Sequence, residues 1–216
     1  MPCNCCTITD KTFGESDARH NLRRYRMRGP AGQTSELLKS IRSEGLKDAT
    51  LIDVGGGIGA IHHELLEDTV SSATHVDASS AYLRAAEGEA ARRGHAGRVE
   101  FIHADFSDVA SGLPPADIVT LDRVVCCYTD FRGLLAAAAG RSKHLLAMTY
   151  PREAWYTRVA IRITDWVQWL RRDPFRVFVH PVAQMDTVLR SNGMRRVSLK
   201  RLFVWEVALY SRNWAG

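Results

Sequence analysis

Short apolar runs alternate with stretches of helical periodicity through the middle of the chain. The apolar runs predict five strands, Thr50–Val54, Thr74–Asp77, Arg98–His103, Asp117–Asp122 and His144–Thr149. The stretches between them predict the helices Ala60–Leu66, Ser80–Arg93 and Phe131–Ala139. This alternation predicts a doubly wound α/β fold with a parallel sheet.

Two helices are predicted ahead of the first strand. The first spans Glu15–Arg28 and ends before Gly29-Pro30, and the second spans Thr34–Ser43. Five arginines lie on the first helix, at positions 19, 23, 24, 26 and 28. They form either a solvated basic face or a lid that meets an anionic acceptor. We therefore expect three segments along the chain, namely a flexible arm over 1–14, a helical lid over 15–45 and one main domain over 46–216.

The pattern changes after the fifth predicted strand. Apolar residues at helical spacing predict a long helix with the stripe Trp155, Val159, Ile163, Trp166 and Leu170. Another helix is predicted to open at His180-Pro181. Two alternating runs, Arg196–Leu202 and Val204–Ser211, then predict an antiparallel pair at the sheet edge.

A glycine-rich turn follows the first predicted strand, in the run Asp53-Val54-Gly55-Gly56-Gly57-Ile58-Gly59. Glycines allow the backbone to approach a ligand closely, because a Cβ atom there would collide with it. Such a turn is also compatible with a relaxed dinucleotide fingerprint. The carboxylate of Asp53 favours a cationic ligand that carries an amino acid group over a pyrophosphate.

This motif resembles the first motif of class I S-adenosylmethionine-dependent methyltransferases, which reads acidic-x-Gly-x-Gly-x-Gly. The resemblance implies a seven-stranded Rossmann-like sheet that ends in an antiparallel hairpin. It also implies that S-adenosylmethionine is the cofactor and that Asp53, Gly55, Gly57 and Gly59 bind it. A final hairpin of this kind fits poorly with a dinucleotide-binding domain.

Further carboxylates end the next three predicted strands, where open α/β sheets place their ligands. Asp77, followed by Ala78, can accept hydrogen bonds from both ribose hydroxyls. In the family, an acidic residue at the position of Asp105 accepts the adenine amino group, and Phe106 is expected against the adenine ring. Asp122 is expected to border the methionine moiety and the acceptor, or to pair with its neighbour Arg123.

Candidate residues for the chemistry lie outside these motifs. His180, Tyr128 and Tyr25 are candidate general bases, which are needed only when the acceptor must lose a proton. The candidate acceptor contacts are Arg23, Arg24 and Trp155.

Within the superfamily, the layout is similar to magnesium-protoporphyrin O-methyltransferases, which esterify a propionate. The similarity implies a small-molecule acceptor that bears a carboxylate, which arginines bind well. This chain departs from that family at Cys127, where the family has histidine, and at Phe13, where it has tyrosine.

Composition narrows the function further. The chain has 216 residues, 45% of them hydrophobic, and a net charge of +5, which fits one domain and does not by itself imply nucleic acid. No secretory signal or bilayer-length apolar run is apparent, so a cytoplasmic location is expected. Five cysteines in two clusters are an odd number and predict reduced thiols.

Three alternative functions stay open. Cys3, Cys5 and Cys6 favour a metalloid or thiol methyltransferase, because thiolates prefer soft ions. The basic lid is compatible with a nucleic-acid methyltransferase. A non-catalytic S-adenosylmethionine-binding protein would bind the cofactor without turnover. No resident metal site is predicted, since this cysteine motif alone is incomplete for zinc.

Overall fold

The computed structural model describes residues 14–157, 159, 162 and 177–212. Cys3, Cys5, Cys6 and Phe13 lie outside the described residues. So do Ile163, Trp166 and Leu170 of the predicted long helix. The helices are Glu15–Arg28 (α1), Gly32–Arg42 (α2), Ala60–Leu65 (α3), Ser80–Arg93 (α4), Phe106–Val109 (α5), Phe131–Arg141 (α6) and Val182–Ser191 (α7). The strands are Ala49–Val54 (β1), Val70–Asp77 (β2), Val99–His103 (β3), Ala116–Asp122 (β4), Ser142–Pro151 (β5), Met194–Arg201 (β6) and Trp205–Arg212 (β7).

All seven described strands form one sheet, in the order β3-β2-β1-β4-β5-β7-β6. The first five strands run parallel, while β7 pairs antiparallel with both β5 and β6. The strand order reverses between β1 and β4, and open α/β sheets bind their ligands at such a switch point. The predicted doubly wound, seven-stranded sheet with a C-terminal hairpin is therefore confirmed.

Apolar side chains cover both faces of the sheet, as parallel sheets require. One face packs against α5, α6 and α7 and includes Ile52 and Val54 from β1. The opposite face packs against α2 and α3 and includes Leu51. Because successive strand residues point to opposite faces, Asp53 lies on the same face as Leu51, beneath α3.

The main difference from the predicted strands is the length of β2. It begins at Val70, four residues earlier than the sequence pattern indicated, and pairs with β1 along this extension. Ser71 and Ser72 are exposed, so these positions do not show the apolar signal of a buried strand. Register with β1, rather than hydrophobicity, fixes this part of the strand.

The first helix, α1, has the predicted bounds and packs against α4. Its inward face carries the buried residues Ala18 and Tyr25. The Tyr25 hydroxyl donates a hydrogen bond to Glu64 at 2.7 Å, and Arg26 forms an ion pair at 2.8 Å with the buried carboxylate of Glu89. Polar and ionic contacts therefore dock this helix on the domain.

Candidate active site

A row of buried polar side chains lies beneath the glycine-rich turn. Asp53 of β1 is paired in register with His75 of β2 on one side and with Thr120 of β4 on the other. All three side chains are fully buried. Thr120 donates a hydrogen bond to Asp53 Oδ1 at 2.7 Å, and Asp53 Oδ2 lies 3.2 Å from His62 Nδ1 on α3.

The turn above this row requires glycine for two separate reasons. Gly55, Gly57 and Gly59 have φ angles of 56°, 58° and 81°, in the left-handed region that favours glycine. At Gly56 the constraint is steric, because a Cβ atom would lie 2.5 Å from Asp53 Oδ2 and 2.7 Å from His75 Nδ1. The sequence motif leaves Gly56 as a free position, so its necessity emerges only from the packing.

Asp53 therefore supports the turn from below. Its side chain is 0% exposed, and its oxygens contact Thr120 and His62. This geometry differs from the expectation that Asp53 faces a cofactor directly. The strand register explains the difference, because it directs Asp53 onto the face that α3 covers.

Asp77 ends β2 at the edge of the turn. Its two oxygens each accept one backbone hydrogen bond at 2.8 Å, from Gly57 and from Ser79. Burial raises the pKa of Asp77 to about 6, although these two hydrogen bonds oppose the shift. A carboxylate has about four lone-pair sites, so Asp77 keeps acceptor capacity for further donors. Ala78 beside it accepts from His103 through its carbonyl oxygen, at 3.1 Å.

Asp105 follows β3 and caps the N-terminus of α5. Its Oδ1 accepts hydrogen bonds from the Ser107 backbone at 2.9 Å and from the Tyr128 hydroxyl at 2.7 Å. Its Oδ2 is buried and has no partner among the described residues. A buried carboxylate oxygen without a donor is costly, so this atom has acceptor capacity left for a donor that is not part of the described chain.

Phe106, which was expected to lie against an adenine ring, is instead part of the apolar core. Its side chain is 1% exposed and packs in the layer that contains α6 and α7. The reason is local, because Phe106 begins α5 and the helix turns this side chain towards the sheet.

Asp122 and Arg123 end β4 at the same edge of the sheet. Asp122 accepts hydrogen bonds from Thr34 at 2.6 Å and Thr149 at 2.5 Å, and lies 3.6 Å from the Arg123 guanidinium. The pairing with Arg123 that the sequence left open is therefore present. Arg123 has a φ angle of 62°, which is rare for a non-glycine residue, and its side chain is 48% exposed. Such outliers cluster at functional sites.

Tyr128 and His180 meet near the turn Val125–Cys127. His180 Nε2 lies 3.1 Å from the Val125 carbonyl oxygen and 2.9 Å from that of Tyr128, so this nitrogen donates to the turn. Burial lowers the pKa of His180. Burial and the charge of Asp105 raise the pKa of Tyr128 far above its ordinary value. Both residues are engaged in holding the site together.

The remaining predicted residues lie apart from this cluster. Tyr25 lies on the buried face of α1, where its hydroxyl donates a hydrogen bond to Glu64. Burial and this hydrogen bond raise the pKa of Tyr25 well above its usual range. Arg23 and Arg24 are exposed and project from α1 away from its packed face. Trp155 is 77% exposed and makes an edge contact with the Tyr156 ring.

A vicinal cysteine pair lies between Arg123 and Tyr128. The Sγ atoms of Cys126 and Cys127 are 4.0 Å apart, with Cys126 buried and Cys127 half-buried. A hydrogen bond from Cys126 and the charge of Arg123 lower the pKa of Cys127 against the effect of burial. The pair lies just after β4, at the edge of the sheet where the strand-end carboxylates lie.

The seven-stranded sheet and the strand-end carboxylates match the arrangement that the sequence resemblance implies. Residues 52–143 match the family model described as "Methyltransferase domain". This match and the fold confirm the predicted resemblance to class I S-adenosylmethionine-dependent methyltransferases. No curated protein sequence matches the chain.

Solved structures share the fold at low sequence identity. Magnesium protoporphyrin IX methyltransferase from Synechocystis PCC 6803, solved with bound SAH, is 15% identical with a TM-score of 0.74, covering 96% of this chain and 99% of that one. An O-methyltransferase family protein from Burkholderia thailandensis is 16% identical with a TM-score of 0.73, covering 97% of this chain and 63% of that one. The [4+2]-cyclase SpnF is 14% identical with a TM-score of 0.64, and the match covers 83% of this chain and 80% of that one.

The cyclase shows that this fold also serves a different reaction, so the reaction depends on the residues of the site rather than on the fold alone. Among the described residues, no helix is long and apolar enough to cross a membrane.

The steric constraint at Gly56 generates a prediction. We expect Gly56→Ala to lower the free energy of unfolding by about 1–3 kcal/mol, because the added methyl group overpacks the space above Asp53 and His75. Gly88→Ala is the matched control, since nothing lies within 4 Å of the Cβ position on that helical glycine. The control should raise stability by up to about 1 kcal/mol. Urea unfolding of both variants measures the difference, and equal effects would show that the turn has room for a side chain.

Proposed function

We propose that this chain binds S-adenosylmethionine at the strand-end cleft and transfers its methyl group to a small-molecule acceptor that bears a carboxylate. The observation that carries the cofactor assignment is the buried, unpartnered Oδ2 of Asp105. When bound, the cofactor supplies a methyl group activated by attachment to a sulfonium ion.

The residues present fit this cofactor. An adenine amino group is a donor that would satisfy Asp105 Oδ2, which no described residue satisfies. Asp77 has lone pairs left for two ribose hydroxyls after its bonds to Gly57 and Ser79. Because Asp77 and Asp105 are buried, the site selects against ligands that cannot donate hydrogen bonds to them.

The acceptor side of the cleft carries a half-exposed arginine. Arg123 projects from the end of β4, and its guanidinium is close enough to shift the pKa values of both Tyr82 and Cys127. An arginine can hold a carboxylate through two parallel hydrogen bonds. We therefore place Arg123 at the acceptor carboxylate, and Arg23 and Arg24 on the lid as further candidates.

A carboxylate acceptor removes the need for a general base. It is already ionised at neutral pH, so it attacks the methyl group without losing a proton. This fits the site, because the pKa of Tyr128 is raised and His180 Nε2 is engaged with two carbonyl oxygens. The contribution of the chain is then to hold the two reactants in line and to exclude water.

The helix α1 is placed to act as the lid. Asn21 donates a hydrogen bond to the Tyr82 hydroxyl, and the Tyr82 ring approaches the Cβ position of Gly57 to 3.4 Å. Tyr82 therefore connects α1 to the glycine-rich turn. Closing of this helix over the cleft would sequester the reaction from water.

A second candidate is a metalloid or thiol methyltransferase, which the Cys126–Cys127 pair favours. The two Sγ atoms are 4.0 Å apart at the acceptor side of the cleft, and Arg123 favours the thiolate form of Cys127. Soft ions bind thiolates preferentially. Supplying arsenite as an acceptor in the methylation assay distinguishes this candidate, because a methylated arsenical would replace the ester as product.

The first prediction of this proposal concerns cofactor affinity. We expect Asp77→Ala and Asp105→Ala each to weaken binding of S-adenosylmethionine by about 1.5–3 kcal/mol, the scale of hydrogen bonds to a charged group. Asp108→Ala is the control, because Asp108 is an exposed carboxylate only three residues from Asp105. Calorimetry on the folded variants measures the affinities, and an unchanged value for Asp105→Ala would remove the adenine assignment.

The second prediction concerns the acceptor. We expect the labelled methyl group of S-adenosylmethionine to reach small carboxylic acids, with magnesium protoporphyrin IX as one member of the panel, and to be released as methanol by mild base. The methyl esters of the same acids are the matched controls and should take up no label. A base-stable product, or equal labelling of acids and esters, would contradict the carboxylate assignment while leaving cofactor binding intact.

Arginine variants localise the carboxylate contact in the same assay. Arg123→Ala should raise the KM for the acid by roughly 10- to 100-fold, and Arg123→Lys should recover only part of this, because lysine lacks the bidentate fork. Arg23→Ala and Arg24→Ala test the lid arginines separately. If the KM for the acid rises only in Arg23→Ala and Arg24→Ala, the carboxylate contact lies on α1 rather than at the end of β4.

The third prediction concerns the lid. Hydrogen exchange across residues 14–30 should slow when S-adenosylhomocysteine and an acceptor are bound, because α1 is docked through few apolar contacts and then closes on the cleft. Exchange in the sheet strands serves as the internal reference. If residues 14–30 are strongly protected to the same degree with and without ligand, α1 is a fixed part of the core.

A further inference from the structure

Three potential metal ligands meet beneath the glycine-rich turn, outside the cofactor cleft. Asp53 lies near the end of β1, His75 lies beside it on β2, and His62 comes from α3 above the sheet. Each offers one donor atom, and the three atoms lie within 4.8 Å of one another. All three side chains are fully buried, so this is not a solvated acidic cluster.

The separations of the donor atoms suit a tetrahedral ion. His62 Nδ1 lies 3.2 Å from Asp53 Oδ2 and 3.2 Å from His75 Nδ1. Zinc bonds nitrogen and carboxylate oxygen at about 2.0–2.1 Å, so two ligands of a tetrahedral site are about 3.3–3.4 Å apart. Both of these separations are close to this value, and all three donor atoms lie within 4.8 Å of one another.

Simple two-centre hydrogen bonds do not pair all three atoms at once. If His62 Nδ1 carries a proton and donates it to Asp53, it has no lone pair to accept from His75. If His62 Nδ1 is unprotonated, its single lone pair can accept a hydrogen bond from only one of its two neighbours. A cation resolves the conflict, because all three atoms can then direct lone pairs to one point.

The surroundings also favour a cation. Asp53 is fully buried, and its side-chain partners among the described residues are Thr120 and His62, so a divalent ion would supply the charge opposite to its ionised form.

A supporting shell is present around the donors. Thr120 donates a hydrogen bond to Asp53 Oδ1 at 2.7 Å, which orients the carboxylate with Oδ2 towards the histidines. The Phe101 ring packs against the rings of His62 and His75, at centroid distances of 6.1 and 5.5 Å. The site is thus oriented on one side and enclosed by an apolar ring on another.

We propose that Asp53, His62 and His75 form a buried binding site for a divalent transition metal ion, with zinc as the preferred occupant. Imidazole nitrogen and carboxylate oxygen are suitable ligands for zinc, and three protein ligands leave one position for a water molecule. The ion would tie β1, β2 and α3 together directly beneath the turn. It would take no part in methyl transfer, so the inference does not depend on the acceptor.

The test uses the full chain expressed in zinc-supplemented medium. After desalting against a chelator, we expect about one zinc ion per chain by elemental analysis. X-ray absorption then identifies the ligands, with nitrogen and oxygen at about 2.0–2.1 Å and no sulfur at about 2.3 Å. This readout separates the proposed site from the cysteines, because zinc held by thiolates shows sulfur scattering.

Two variants and a control complete the test. His75→Phe keeps a ring beside Phe101 and should abolish zinc retention, whereas His20→Phe changes an exposed histidine on α1 and should leave it intact. Thr120→Val keeps the shape of the residue but removes the hydroxyl, and should weaken zinc binding roughly 10- to 100-fold.

The outcomes are separable even if a variant does not fold. If the wild-type protein does not retain about one zinc ion per chain, the three side chains form a hydrogen-bonded cluster without a metal, and the proposal is overturned. So would zinc bound through sulfur, or zinc retained by folded His75→Phe protein. Nitrogen and oxygen ligation in the wild type supports the proposal without relying on any variant.

Discussion

The structure depends on a close contact between the glycine-rich turn and the buried row beneath it. A Cβ atom at Gly56 would lie 2.5 Å from Asp53 Oδ2 and 2.7 Å from His75 Nδ1, so backbone and side chains meet with no spare volume. The register that aligns Asp53 with His75 and Thr120 fixes this row. The backbone N–H of Gly57, in the same turn, donates a hydrogen bond to Asp77 and so fixes the position of this carboxylate at the end of β2. One packing constraint therefore connects the centre of the sheet to the ligand site.

The cleft combines two kinds of polar groups with different tasks. Asp77 and Asp105 are buried acceptors that suit a nucleoside with hydroxyl and amino donors. Arg123 is a donor held in a left-handed conformation at the end of β4, where a carboxylate acceptor would arrive. Tyr128 and His180 hold this region through hydrogen bonds, and neither is available as a strong base. An acceptor that is already ionised matches a site with this division of roles.

The features that sequence predicts well are those encoded locally. The bounds of α1 and α4 match the prediction because Gly29 follows α1 and because Ser79 and Gly94 cap the two ends of α4. The start of β2 does not follow from local pattern, because Ser71 and Ser72 are polar and pair with β1 only through register. The histidine cluster is equally hidden, since His62 and His75 are thirteen positions apart and meet only when α3 folds over the sheet. The structural roles of Tyr25 and His180 depend on Glu64 and on carbonyl groups that no local motif reveals.

The central claim is that the strand ends form a nucleoside site with Asp105 as its most specific member. A crystal structure with S-adenosylhomocysteine tests this claim most directly. The account predicts the adenine amino group within hydrogen-bond distance of Asp105 Oδ2 and both ribose hydroxyls on Asp77. It is contradicted if the ligand binds elsewhere, or if Asp105 Oδ2 remains without a donor while the ligand occupies the cleft.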